Sequence, residues 1–386
     1  MRHHHACSRT HQVGALLLFA ATFLLTRLFD SLLLDASSPS SSSFPLSAAR
    51  PSSSSADLRI YVYSEEEIQG LRALLRGRDG TVAAATCLKG QWGTQVKIHQ
   101  LLLKSRFRTF NKDEANLFFV PSHVKCVRMT GALNDKEINQ TYVKVLSQMP
   151  YFRRSGGRDH IFVFPSGAGA HLFHSWATFL NRSIILTPEG DRTDKRGTSA
   201  FNTWKDIIIT GNVDDSMLES PELKLSGPNK LGRIDYFKHL RNAKSSLAPR
   251  GKSSWTLWFY KSFFVECVPV ILSDEVELPF QNVIDYSEFL IKWPSSRIGP
   301  ELFEYLESIP DERFEEMIGR GREIRCLWVY AADTEPCSAM SGILSELQRK
   351  VRRFHQSPET FWLHNRSIVN RDLVEFHSWR TPVPLP

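Results

Sequence analysis

Three short stretches bring together residue types that can do chemistry. Arg158-Asp159-His160 sets a carboxylate and an imidazole side by side, just ahead of the apolar run HIFVF. Either Asp159 or His160 can then act as a general base toward a hydroxyl. The competing reading is an Arg–Asp ion pair beside a packed histidine. Pro249-Arg250-Gly251 precedes a helix predicted over 255–264. A glycine-containing loop that enters a helix amino terminus can hold phosphate groups, with Arg250 as a charged clamp. The competing reading is a plain turn. Asp274 ends a strand predicted at 268–272. Ligands gather at that edge of an α/β sheet, although an acid there also serves as a helix cap or turn residue.

These groups need elements to hold them. The alternating run 58–63, LRIYVY, predicts the first strand, and 115–121, 160–164, 183–186 and 207–209 predict four more. Helices are expected over 94–104 and 137–149, so strands and helices alternate as in a parallel sheet covered on both faces. The second half repeats the style, with helices at 237–244, 255–264, 300–308 and 311–325 and a strand at 268–272. Pro269 inside that strand predicts an edge or a bulge. A long amphipathic helix over 338–355 carries Ile343, Leu347, Val351 and Phe354 on one stripe. Two α/β lobes flanking a crevice are expected, the crevice being the usual place for a nucleotide.

The amino-terminal stretches do different work. Residues 13–34, VGALLLFAATFLLTRLFDSLLL, are long enough to cross a bilayer and predict a signal anchor. The stub 1–12 has Arg2 and Arg9 and no acid, which favours a lumenal carboxyl terminus. The alternative is a cleavable signal peptide whose apolar core ends near Thr26. His3 to His5 lack fixed geometry and receive no role. Residues 35–56, rich in serine and proline, predict a stalk. Sequons at Asn139, Asn181 and Asn365 agree with a glycosylated lumenal domain. Beyond Cys7, the cysteines Cys87, Cys126, Cys267, Cys326 and Cys337 allow two disulfides and leave one thiol. Their spacing does not fix the pairing.

Composition excludes more than it selects. With 386 residues and 42% apolar content, the chain is neither a disordered tail nor a multi-span channel. The net charge of +7 is spread along its length and does not imply nucleic acid. No His/Cys cluster has zinc spacing.

Six blocks in order resemble the exostosin-type glycosyltransferases of family 47, the plant branch in particular. They are IYVY (60–63), LLLKSRFRTFNKDEANLFFVPSH (101–123), GGRDHIFVF (156–164), ILTPEGD (185–191), LAPRG (247–251) and CVPVILSDEVELPFQNVIDYSEF (267–289). The resemblance implies an α/β fold of GT-B type, two Rossmann-like domains facing a crevice. Residues 57–212 would form the acceptor-side domain and 233–386 the nucleotide-sugar-binding domain. It further implies a single-pass type II Golgi membrane enzyme, transferring sugar from a UDP-sugar with inversion to a cell-wall polysaccharide or a glycoprotein glycan. No cofactor or metal is expected, because basic side chains balance the diphosphate. Glu189 and Asp191 in PEGD are second candidates for the base, better read as turn and acceptor-side residues.

Departures fall where the donor should bind. The family's helix after PRG usually carries an arginine and a glutamate, at the positions of Trp258 and Lys261 here. Lysine has no lone pair with which to accept from a ribose hydroxyl. The family's cysteine before L-x-P-R-G is Ser246, which would account for the odd thiol. Segment 213–232 is too short and polar for the strand and helix that open the family's second domain, so that domain is expected to be incomplete. The alternative function is a catalytically silent family member, an interaction subunit in a complex with other Golgi glycosyltransferases.

Overall fold

In the computed structural model, the alternating run at the start of the globular region forms β1 (Ile60–Val62). Helices α1 (Leu71–Arg76), α2 (Ala84–Leu88) and α3 (Gly93–Lys104) follow it, then β2 (Arg108–Thr109) and β3 (Leu117–Phe119). Next come α4 (Val124–Met129), α5 (Asp135–Ser147) and α6 (Pro150–Ser155), leading to β4 (His160–Val163). Helix α7 (Trp176–Phe179), β5 (Ile184–Thr187) and β6 (Ile207–Ile208) complete the first half. The second half contains β7 (Ser245–Pro249), α8 (Leu257–Phe264), β8 (Val268–Leu272) and β9 (Ile291–Trp293). It ends with α9 (Pro300–Ser308), α10 (Asp311–Ile324) and α11 (Ala339–Gln356).

The structure describes residues 58–88, 92–166, 168–190, 201–202, 204–213, 242–249, 257–274, 276–281 and 283–356, without the side chains of 257–258 and 352–356. The expected anchor at 13–34, the stalk, the linker at 213–232 apart from Val213, and Asn365 lie outside these residues. Among the described residues no helix is long and apolar enough to cross a membrane.

The expected parallel α/β architecture is present. Six parallel strands run in the order β2-β1-β3-β4-β5-β6, and three more in the order β7-β8-β9. Pleating sends Ile60, Phe119 and Ile161 to one face of the larger sheet and Tyr63, Phe118 and Phe162 to the other, each in its own apolar cluster. Helix α5 shows why the second face closes. Its capping box pairs Asn134 with Glu137, and Ile138, Tyr142, Val145 and Leu146 are buried on one stripe.

The first face is shared between the two halves. Phe259, Phe263, Trp328 and the α11 stripe of Ile343, Leu347 and Val351 join the same cluster as β1, β3 and β4. The carboxyl-terminal helix therefore packs back onto the larger sheet through the predicted apolar stripe. The side chain of Phe354 lies outside the described residues. Leu302, Phe314 and Met317 from α9 and α10 cover the outer face of β8.

Some expectations needed tertiary correction. The helix expected at 237–244 lies largely outside the described residues, and the following SSLAP, of which only Pro249 is expected in the PRG loop, is strand β7. Weak strand formers and a proline hid it from pattern reading; five parallel pairings with β8 create it. Pro269 sits in the central strand of the small sheet, not at an edge. Strand β9 pairs with β8 only from Val270 onward, so a residue without an N–H is tolerated one position earlier. Disulfides join Cys87 to Cys126 and Cys326 to Cys337, and Cys267 is a buried thiol.

Candidate functional site

The topology locates a site before any side chain is considered. From β1 the chain crosses one way through α3 to β2, and from β3 the other way through α5 to β4. Beyond the carboxyl ends of β1 and β3 lies the switch point at which parallel sheets hold ligands.

Polar side chains are buried in that region. Gln95, in the first turn of α3, is 1% exposed, and neither amide atom has a hydrogen-bond partner among the described residues. One turn later the His99 ring lies 5.6 Å from that of His123, which follows β3. Burial pushes both imidazoles down, His99 to about 3 and His123 to about 4. The His123 and Arg108 charges lower His99 further, whereas the nearby Leu75 backbone partly opposes the shift in His123. Both rings are therefore neutral at physiological pH. Ser166, after β4, is also buried, and its hydroxyl has no hydrogen-bond partner among the described residues.

The PEGD turn joins this edge to the second half. Glu189 follows β5, is half-buried, and its N–H donates to Thr187 Oγ1 at 3.1 Å. Gly190 O accepts from Glu277 N at 2.9 Å. The approach is so close that a Cβ on Gly190 would stand 2.4 Å from Glu277 O. Nearby, Tyr330 Oη donates to Thr210 O at 2.9 Å, and Asn212 Nδ2 donates to Leu88 O at 3.2 Å. The carboxyl ends of β5 and β6 thus form a seam with residues following β8 and α10.

The first-choice base candidates are placed elsewhere. Asp159 and His160 sit at the amino end of β4, the opposite edge of the sheet. His160 is fully buried, 4.9 Å from the Phe118 ring and 5.0 Å from that of Phe152. Its Nδ1 bonds Asp159 Oδ1 at 2.6 Å and its Nε2 lies 3.2 Å from Tyr63 Oη. Asp159 also accepts from Ser155 Oγ at 2.5 Å. An imidazole enclosed this way cannot reach an acceptor hydroxyl, and the geometry is that of the packed-histidine reading. The carboxylate bonded to that imidazole is Asp159, while Arg158 Nε donates to Ser155 O at 3.1 Å.

Of the residues expected to bind the donor, Pro249 is the last residue of β7, while Arg250 and Gly251 lie outside the described residues. They fall in the connection from a parallel strand to α8, as a phosphate loop requires. Trp258 belongs to α8, with its side chain outside the described residues, and Lys261 is 7% exposed on the same helix. Asp274, just past β8, is exposed and accepts from Ser295 N at 3.3 Å and from Ser295 Oγ, tying the ends of β8 and β9 together. Of the sequon asparagines, Asn181 is exposed and Asn139 is half-buried, its Oδ1 accepting from Ser175 N at 2.9 Å.

Gln95, His99 and His123 escaped the sequence reading. Gln95 and His99 lie in a stretch read only as an amphipathic helix, and PSH at 121–123 read only as the end of a strand.

Comparisons with known proteins place the chain in a family. The profile of the Exostosin GT47 domain matches residues 54–211 and 212–309. A probable glucuronosyltransferase of Oryza sativa subsp. japonica is 28% identical over 294 residues, covering 61% of this chain and 66% of that protein. The probable beta-1,4-xylosyltransferase IRX10 of Arabidopsis thaliana is 23% identical over 352 residues, covering 76% of this chain and 82% of that protein. A probable glucuronoxylan glucuronosyltransferase of Arabidopsis thaliana is 25% identical over 265 residues, 54% of this chain and 56% of that protein. The chain thus spans between about half and four fifths of these relatives' lengths. With its matched blocks folded into parallel sheets and joined at the PEGD seam, the chain belongs to the exostosin GT47 family.

Proposed function

We propose that this chain is a glycosyltransferase of GT-B type that moves a sugar from a UDP-sugar to a cell-wall polysaccharide or a glycoprotein glycan, with inversion. It would act in the Golgi lumen, held by the anchor at 13–34. The observation that carries the reading is the PEGD seam, where Glu189 stands at the carboxyl edge of the larger sheet beside residues that follow β8. The family's relatives, named as xylosyl- and glucuronosyltransferases, support the substrate class.

The roles follow from placement. Glu189 is the acceptor-side carboxylate that takes the hydroxyl proton, replacing Asp159 and His160 in that role. Two imidazoles held neutral by burial, His99 and His123, offer hydrogen bonds to sugar hydroxyls without adding charge. Arg250, immediately after β7, neutralises the departing diphosphate.

One observation favours the silent-subunit alternative. Lys261 is buried on α8, where the resemblance calls for an acidic ribose acceptor. The two readings separate in one experiment on the purified full chain: calorimetric titration with UDP and several UDP-sugars, together with label transfer to a panel of oligosaccharide acceptors. Binding with transfer is the expected result. A chain that binds no nucleotide and transfers no label overturns the enzyme reading.

A further inference from the structure

The second half carries a cleft that this chemistry does not use. It measures about 680 Å³ and opens between the connection from β8 to β9 and helices α9 and α10. Ligand sites commonly enclose ~300–1,000 Å³. Val276 and Leu278 line it, while the backbone of Glu277 between them reaches Gly190. The cleft therefore lies along the same segment that closes the seam, and Glu189 is not part of its lining.

Its lining combines two chemistries. The aromatic part is Tyr305 on α9, 43% exposed, whose ring centroid stands 5.2 Å from that of Trp293 at an interplanar angle of 35°. Trp293 is itself fixed, because its indole N–H donates to Arg297 O at 2.7 Å and the Arg297 guanidinium lies 6.0 Å over the ring. Tyr305 thus rests on an ordered support. The polar part is also preset. Ser287 holds the Asp285 carboxylate through its N–H at 3.0 Å and its hydroxyl at 2.6 Å. Lys292 Nζ is anchored on Val276 O at 3.0 Å, and Arg313 on Glu316 at 2.8 Å.

Each of these details narrows the ligand. A pyranose ring presents a C–H face suited to an aromatic ring, and hydroxyls that both donate and accept. Around the cleft Lys292 and Arg313 are balanced by Asp285 and by Glu316, the partner of Arg313, so no excess of positive charge selects a phosphate or a polyacid. A purely apolar occupant would match Ile284, Leu290 and Ile309 but would leave Asp285, Lys292 and Arg313 without water or a partner for their charges. We propose that this cleft is a second glycan-binding subsite, which holds a short run of neutral sugars of the acceptor chain away from the transfer site. The proposal rests on the transferase reading for the identity of the glycan as acceptor, whereas glycan binding in the cleft requires no catalysis.

The test uses the full chain in detergent and end-labelled xylohexaose, cellohexaose and mannohexaose, with heparin as the anionic contrast and UDP as a probe of the other site. At least one neutral hexasaccharide should bind, and Tyr305→Ala should weaken that binding by about tenfold or more, as expected for an aromatic anchor. Tyr305→Phe, which keeps the ring, should stay within about threefold of the parent. Asp285→Asn, on a different element, should weaken binding too, and UDP affinity should not change in any variant. The proposal fails if no neutral hexasaccharide binds, if only heparin binds, or if Tyr305→Ala binds the sugar as the parent does. A parent chain that binds hexasaccharide through Tyr305 but does not bind UDP supports the subsite and counts against the transferase reading.

Discussion

Two buried polar clusters at opposite edges of the six-stranded sheet are satisfied in opposite ways. At the amino edge of β4, both His160 nitrogens are engaged, one by Asp159 and the other by Tyr63, inside a ring of aromatics. At the carboxyl edge, the Gln95 amide and the Ser166 hydroxyl are buried with no hydrogen-bond partner among the described residues, and two neutral imidazoles lie 5.6 Å apart. A closed network orders a core at little net cost, whereas each buried group left open costs ~1–3 kcal/mol. Such a cost is tolerated where a ligand completes the bonds. Residue type alone misled here: histidine beside aspartate has the composition of a catalytic pair, yet its partners make it architecture.

Four measurements test that contrast. The largest effect is expected at the seam. Glu189→Gln should lower label transfer by ~10²–10⁴-fold, the span of general-base catalysis, while leaving the urea midpoint nearly unchanged. Transfer at the parental rate would remove Glu189 from the mechanism.

His160→Ala should do the reverse. Emptying a fully enclosed ring site and stranding Tyr63 and Asp159 should cost about 3 kcal/mol or more in urea unfolding. Turnover per folded molecule should remain that of the parent. A stable variant that has lost transfer would restore His160 as a catalytic candidate and invert the comparison.

Next comes acid sensitivity. The folded pKa values of His99 and His123 lie below the ordinary histidine value, so between about pH 4 and 6.5 the unfolded chain binds more protons than the folded one. This contribution to stability is fully present above about pH 6.5 and is lost as pH falls, by up to ~1.4 kcal/mol per pH unit for each histidine. Denaturant midpoints measured from pH 7 to pH 5 should fall accordingly, and His99→Gln with His123→Gln should flatten the slope. An unchanged slope in the double variant would place the acid sensitivity elsewhere.

The smallest effect sharpens the contrast most. Replacing the unpartnered amide by an apolar chain of similar shape, Gln95→Met, should stabilise the protein by about 1 kcal/mol and weaken acceptor binding. Destabilisation would mean that Gln95 is already satisfied within the fold, and that the carboxyl edge is as closed as the amino edge.

The sequence by itself determined the periodic elements. Alternation at 58–63 and the stripe of α11 are local patterns, and burial followed them closely. It also determined the family, since ordered blocks such as PEGD and PRG survive as strings. What it could not determine were features created by neighbours distant in the chain. SSLAP became a strand because β8 lies beside it, and Pro269 fits because β9 begins one residue later. The cysteine pairing, the junction of Gly190 with Glu277, and the opposite placements of His160 and Glu189 were likewise decided only by tertiary structure. Side-chain chemistry is written in the residue, but whether a polar group is satisfied depends on which partners the fold brings within hydrogen-bond reach.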